Sequence, residues 1–218
     1  GSRRWAYGGV LLGLMLHIVL GKFGGYWRYE IYMLAFSGIA AVWALAEISP
    51  RHLPFFLLVP VFVYYPAVAQ VPVAVDNIYQ QQYQMHRFVT EHYRKSFAVN
   101  DLGWVSYQLD PHIYVLDLWG LASNEAVRQN VKSAAWLDDI TRRHGAGLAM
   151  IYDEWFPDVP ATWKKVAVLH LNGIRYTPPS ENVAFYATAV GDKAEIARKL
   201  EAFRPSLPSG SSMTIYRQ

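Results

Sequence analysis

Asn100, Asp101 and Asp117 lie where strand-end polar groups do chemistry. The run Phe97-Ala98-Val99-Asn100-Asp101-Leu102-Gly103 reads as a short strand that ends in Asn-Asp and turns through glycine into a helix. Open α/β sheets collect ligands at the carboxyl ends of their strands, which makes Asn100 and Asp101 candidate binding residues. The same pair can instead cap the helix and bond loop backbone. In Tyr114-Val115-Leu116-Asp117-Leu118-Trp119-Gly120-Leu121, Asp117 closes a second apolar strand, a costly place for a carboxylate without a partner. Two strand-end carboxylates suit a sugar's hydroxyls or a divalent cation, or they hold loops together. A cation wants more ligands than these, and His112 is the only obvious addition, so no metal is assigned. A third constellation, Arg28-Tyr29-Glu30-x-Tyr32, lies between two apolar runs. A guanidinium there can fork onto a lipid phosphate. It can also pair with Glu30 or snorkel to headgroups.

Other chemistries find no residues. The chain has no cysteine, which excludes disulfides, thiolate zinc sites and cysteine nucleophiles. It has no Gly-x-Gly-x-x-Gly, Walker loop, Gly-x-Ser-x-Gly or His-Glu-x-x-His pattern. The acidic pairs Asp138-Asp139 and Asp153-Glu154 read as solvated. No catalytic residue and no cofactor is assigned.

The elements that position these residues divide unevenly. Between Arg4 and Asp76 the only charged residues are Lys22, Arg28, Glu30, Glu47 and Arg51. Trp5–Gly21, Ile31–Ala46 and Leu53–Val75 form apolar runs, with aromatics such as Trp5, Tyr26 and Trp27 at their ends. A helix crosses a bilayer core of ~30 Å with roughly 20 apolar residues. Residues 1–75 therefore read as a transmembrane region of three helices, the third kinked by Pro54, Pro60, Pro66 and Pro72. His17 falls near the end of the first run. The basic residues place the N-terminus on the cytoplasmic side and the rest of the chain outside. From Asp76 onward, 15 Lys and Arg balance 15 Asp and Glu, so the formal charge of +3 comes from the front and gives no argument for nucleic acid.

Residues 76–95 read as an amphipathic connector helix. Residues 96–218 alternate short strands and helices. Strands are expected at Phe97–Val99, Tyr114–Leu118, Leu148–Tyr152, Val166–Leu171, Val183–Thr188 and Met213–Tyr216. Helices are expected at Leu102–Gln108, Asn124–Asn130, Ser133–His144 and Lys193–Phe203, with Ser123 as an N-cap and Gly145 as a stop. The fold class is therefore a membrane α-helical region followed by a small α/β extracytoplasmic domain.

The stretches Arg28-Tyr29-Glu30-x-Tyr32, Val99-Asn100-Asp101-Leu102-Gly103 and Asp117-Leu118-Trp119-Gly120-Leu121-Ala122-Ser123, in that order, resemble the C-terminal part of bacterial membrane proteins of the GT-C glycosyltransferase superfamily. The resemblance covers residues 10–125. It implies transfer of a sugar from a polyprenyl-phosphate donor at the outer face of the bacterial inner membrane. The family's catalytic acid lies in a first outer loop that has no counterpart here, so the chain reads as a periplasmic and membrane part that is inactive alone. The resemblance carries Arg28, Tyr29 and Glu30 over as a donor-phosphate region. It carries Asn100, Asp101 and Asp117 over as features of the outer domain. Membrane lipid, the lipid-linked sugar donor and envelope glycan are the partners it implies. A non-enzymatic, membrane-anchored extracytoplasmic binding or interaction module is the alternative.

Overall fold

In the computed structural model, residues 2–21, 31–48, 51, 53–156 and 158–216 are described. The chain forms two compact units, Gly1–Val71 and Pro72–Gln218.

The first unit holds helix α1 (Ser2–Leu20), helix α2 (Ile31–Ile48) and the start of α3 (Leu53–Gln80). The helices α1 and α2 meet where Gly13 admits the Met33 side chain and where the Tyr32 hydroxyl lies 2.6 Å from His17 Nδ1. His17 and Met33 are buried, while most large apolar side chains of these helices, Trp5, Ile18 and Phe36 among them, are exposed.

Among the described residues no helix is long and apolar enough to cross a membrane. This corrects the expected fold class, three transmembrane helices before an α/β domain. With 19 and 18 residues, α1 and α2 extend roughly 27–29 Å at about 1.5 Å per residue, at or below the core thickness. Helix α1 also includes Arg3, Arg4 and His17 within that length. Helix α3 has 28 residues, but it runs on past the expected boundary at Val75 into Asp76, Asn77 and Gln80. Its end belongs to the second unit.

That unit is a six-stranded mixed sheet in the order β2-β1-β3-β5-β4-β6. The strands are β1 (Phe97–Val99), β2 (Val115–Asp117), β3 (Leu148–Ile151), β4 (Lys164–Leu171), β5 (Asn182–Ala187) and β6 (Ser211–Ile215). β1 pairs in parallel with β2 and β3, and the remaining pairings are antiparallel. The parallel strands are short and apolar because both faces are covered. Alternation along them feeds two cores. Phe97, Val99 and Met150 face Phe88, Leu200 and Phe203, carried on the turn after α4 (Gln82–Arg87) and on α7 (Lys193–Phe203). Ala98, Leu116 and Ile151 face Leu137 and Ile140 of α6 (Ala134–Arg143). Full burial of one such large side chain stabilises by about 1.5–3 kcal/mol.

All six expected strands are present. The helix expected over Leu102–Gln108 is instead a 3-10 turn, Gly103–Ser106, because Gly103 and Gln108 both take positive φ. The expected Asn124–Asn130 helix is the shorter α5 (Asn124–Arg128). Instead of a separate connector from Asp76, α3 continues to Gln80, α4 follows, and a π-helical turn covers Phe88–Tyr93.

Candidate functional site

The carboxyl ends of β1, β2 and β3 lie on one side of the sheet. There the Asn100 carbonyl oxygen accepts from the Tyr152 amide at 3.1 Å and ties β1 to β3. Its Nδ2 is buried with no protein partner among the described residues. Asp101 accepts from Gln82 Nε2 at 2.6 Å and lies 3.4 Å from the Tyr152 hydroxyl. That hydroxyl also reaches Gln81 Oε1 at 3.2 Å, and Gln81 donates to the Ser180 carbonyl at 2.9 Å. Burial, reinforced by the Asp101 charge, pushes the Tyr152 phenol well above its ordinary value. The crevice where an open α/β sheet admits ligand is thus filled by glutamines from the α3–α4 junction.

Asp117 is turned into its own loop. One carboxylate oxygen accepts from the Trp119 and Gly120 amides at 3.0 and 2.9 Å. The other accepts from Ala122 and Ser123 at 2.7 and 3.0 Å. These four bonds supply the partner that a buried carboxylate requires. Gly120 adopts φ +104°, and a Cβ there would meet Val127 at 2.8 Å, so the turn needs glycine. Arg28, Tyr29 and Glu30 lie outside the described residues. Asn100 and Asp101 share one polar network, while Asp117, beside β1, serves another. Among the described residues no cluster of three or more His, Asp or Glu is placed to hold a metal.

The Asp117 loop presents Trp119. Its ring centroid lies 4.5 Å from that of Trp155, with the planes tilted by 45°, and the ring meets Phe156 edge-on at 6.0 Å. The two indoles form part of the wall of a cleft of about 420 Å³, together with Asn130, Val131, Lys132, Ser133 and Asp158. Lys132 Nζ lies 5.9 Å from the Trp119 centroid and 5.8 Å from that of Trp136. It donates to the Ala126 and Gln129 carbonyls at 2.7 and 2.6 Å, which leaves one of its three protons for the cleft. Ser133 is fixed as the N-cap of α6, accepting from the Trp136 amide at 3.3 Å.

A second, larger groove of about 700 Å³ is lined by Val75, Ile78, Tyr79, Gln82 and Tyr83 from the α3–α4 stretch and by Gly103, Trp104 and Tyr107. The helical residues recur at three- and four-residue spacing, so they share one face. Four rings touch in series. Tyr79 stacks on Tyr83 at 5.4 Å, Tyr83 meets Trp104 edge-on at 5.9 Å, and Trp104 meets Tyr107 at 5.0 Å.

A third polar group joins Asp153 to Lys165 and Tyr186. The Tyr186 hydroxyl donates to Asp153 at 2.8 Å and Lys165 forms an ion pair with the same carboxylate. Burial, then this bond, pushes the Tyr186 phenol up to about 12. Reading the sequence for carboxylates finds the loop at Asp117 but passes over its tryptophan. The missed signal is aromatic spacing: Tyr79/Tyr83 at four residues, Trp104/Tyr107 at three, and a Trp directly after each of the acidic turns at 117–118 and 153–154.

No curated protein and no solved structure matches the chain. Of the expected polyprenyl-phosphate glycosyltransferase, the transmembrane region is overturned, and no match speaks for the glycosyltransferase or its polyprenyl-phosphate donor. Residues 76–188 do match a family described as a domain of unknown function (DUF8728). The match takes in β1–β5 and, apart from Val75, every residue of both aromatic sites. Half the chain carries that signature, and the protein belongs to this family.

Proposed function

We propose that the α/β unit is a binding module for a glycan, with the Trp119–Trp155 cleft as its sugar site. The observation that carries this reading is the pair of tilted indoles in a cleft whose other walls, Val131 apart, are polar. A pyranose has one or two flat C–H faces and a rim of hydroxyls. Indole faces match the first by dispersion and desolvation. The Asn130 amide, the Ser133 hydroxyl, the Asp158 carboxylate and the free proton of Lys132 match the second. A concave site with a few convergent polar groups is the usual form of a small-ligand pocket.

Binding rather than bond breaking is favoured by what the nearby acids already hold. General acid–base work needs a carboxyl group within reach of substrate. Asp117 is committed to four backbone amides and Asp153 to Lys165 and Tyr186, which leaves Asp158 as the one carboxylate lining the cleft, whereas glycoside cleavage ordinarily takes a pair.

Titration calorimetry against a panel of neutral and acidic oligosaccharides tests the reading. At least one glycan should bind saturably, and Trp119→Ala should weaken it tenfold or more, equivalent to about 1.4 kcal/mol, with the melting temperature little changed. Binding to no glycan, or equal binding by Trp119→Ala, overturns the proposal.

A further inference from the structure

The Tyr79–Tyr107 groove differs in chemistry from the Trp119 cleft. Apart from its rings it is lined by Val75, Ile78, Gly103 and the Gln82 amide, and among the described residues no charged side chain lines it. Gly103 sits at φ +29°, where a Cβ would lie 2.7 Å from Gln82 Oε1; the 3-10 turn approaches the helix this closely only because residue 103 is glycine. Four aromatic side chains complete the lining. Tyr79, Trp104 and Tyr107 are about half exposed. Among the described residues, neither their hydroxyls and indole N–H nor the Tyr83 hydroxyl has a protein hydrogen-bond partner.

These features set requirements for the occupant. It must offer flat apolar surface to the rings and to Val75 and Ile78. It must also carry unpaired acceptors for the indole N–H and the phenol hydroxyls, since a donor desolvated without a partner costs about 1–3 kcal/mol. An amphipathic helix meets the first condition but not the second, because its carbonyls are bonded internally. A sugar meets the second but leaves hydroxyls facing Val75 and Ile78. A polyproline II strand meets both: its pyrrolidine rings are flat and apolar, and its backbone carbonyls have no internal bonds. Aromatic-lined grooves are the general solution for such ligands, which arrive already extended and lose little entropy on docking.

We propose that this groove binds a proline-rich segment of a partner chain in the polyproline II conformation. Tyr83 and Trp104 form its central wall, and the Trp104 indole N–H and the Tyr79 and Tyr107 hydroxyls donate to carbonyls of the segment. The site is separate from the sugar cleft and does not depend on it.

The test uses the 218-residue chain and a labelled, end-blocked proline octapeptide, followed by fluorescence anisotropy. A glycine–serine octapeptide, an amphipathic helical peptide and the oligosaccharide panel serve as competitors. Saturable binding of the proline peptide is expected, with none of the competitors displacing it at equal concentration. Trp104→Ala and Tyr107→Ala should each weaken it tenfold or more. Both side chains are exposed enough that the fold should survive, which the melting curve checks. Tyr107→Phe, which keeps the ring and removes the donor, should weaken it about threefold. Trp119→Ala should bind the peptide normally. Absence of saturable binding, unchanged affinity in both Trp104→Ala and Tyr107→Ala, or displacement by the helical peptide or a glycan overturns the proposal.

Discussion

Asp117 shows how one side chain can set a loop. It is 4% exposed, and its two oxygens take four amides from the next six residues. Asp117→Asn keeps the shape but replaces one acceptor oxygen with an amino group, which then faces two N–H donors. Bonds to charged groups are worth about 1.5–3 kcal/mol each, and an unsatisfied buried donor costs about 1–3 kcal/mol. A destabilisation of about 2–4 kcal/mol is therefore expected in chemical denaturation, with sugar binding weakened through the displaced Trp119. A loss under about 0.5 kcal/mol would show that the loop holds itself. The sequence announces this residue, since a carboxylate closing an apolar strand needs a partner. It does not announce the partners, because they are main-chain amides whose direction depends on the turn at Gly120. Asn100 and Asp101 are legible in the same way and hidden in the same way: their partners, Tyr152 and Gln82, lie on other elements.

Among the elements, α7 is the clearest case of a helix written in the chain. Asp192 caps it, accepting from the Ala194 and Glu195 amides, and Ile196, Leu200 and Phe203 recur on the buried face. Glu195, in its first turn, bonds Lys95 at 2.7 Å and Lys199 at 2.9 Å. These bonds to Lys95 and Lys199 hold the Glu195 carboxyl down at about 2. Because the folded value is depressed below an unfolded value near 4.3, the stabilisation is present above that pH and is lost as pH falls from about 5 towards 2. The pair is largely solvated, so the gain is about 1 kcal/mol or less. In Glu195→Gln the fall in melting temperature over that acidic range should be shallower, and 1 M salt should shrink the difference. An identical profile in variant and parent would remove the ion pair from the account of α7. Other elements were less legible. The turn at Gly103–Ser106 has helical spacing but is bounded by positive φ at Gly103 and Gln108, a property of backbone rather than of pattern. The insertion of β5 between β3 and β4 pairs residues far apart in the chain, which no local signal encodes.

At the scale of the whole molecule, the α/β unit begins before its first strand. Met85, Phe88, Val89 and Tyr93 are buried in its core. Asn77 accepts from the Tyr176 amide at 2.9 Å and donates to the Ile174 carbonyl at 3.0 Å. Removing a single buried Phe side chain costs about 3–5 kcal/mol, against a total stability of about 5–15 kcal/mol for a domain. A chain of residues 72–218 should therefore unfold in one cooperative transition, whereas residues 96–218 should show none by calorimetry or near-ultraviolet dichroism. Cooperative unfolding of the shorter chain would confine the unit to its sheet and later helices. The apolar sequence before residue 76 is plain in the chain and, by composition alone, reads as three membrane spans. The length of α1 and α2, the charges in α1 and the polar end of α3 separate an apolar helix from a spanning one.

The Asp117 loop turns its main chain inward. Four of its amides point inward to a single carboxylate, so almost no main-chain donor is left to greet a ligand, and whatever binds is met by side chains. Selectivity and architecture are therefore written at different positions. Exchanging Trp119, the loop residue that lines the cleft, would change what the proposed sugar site accepts without disturbing the scaffold, while Asp117 and Gly120 stay fixed. A family built on such a loop can diversify its targets one side chain at a time.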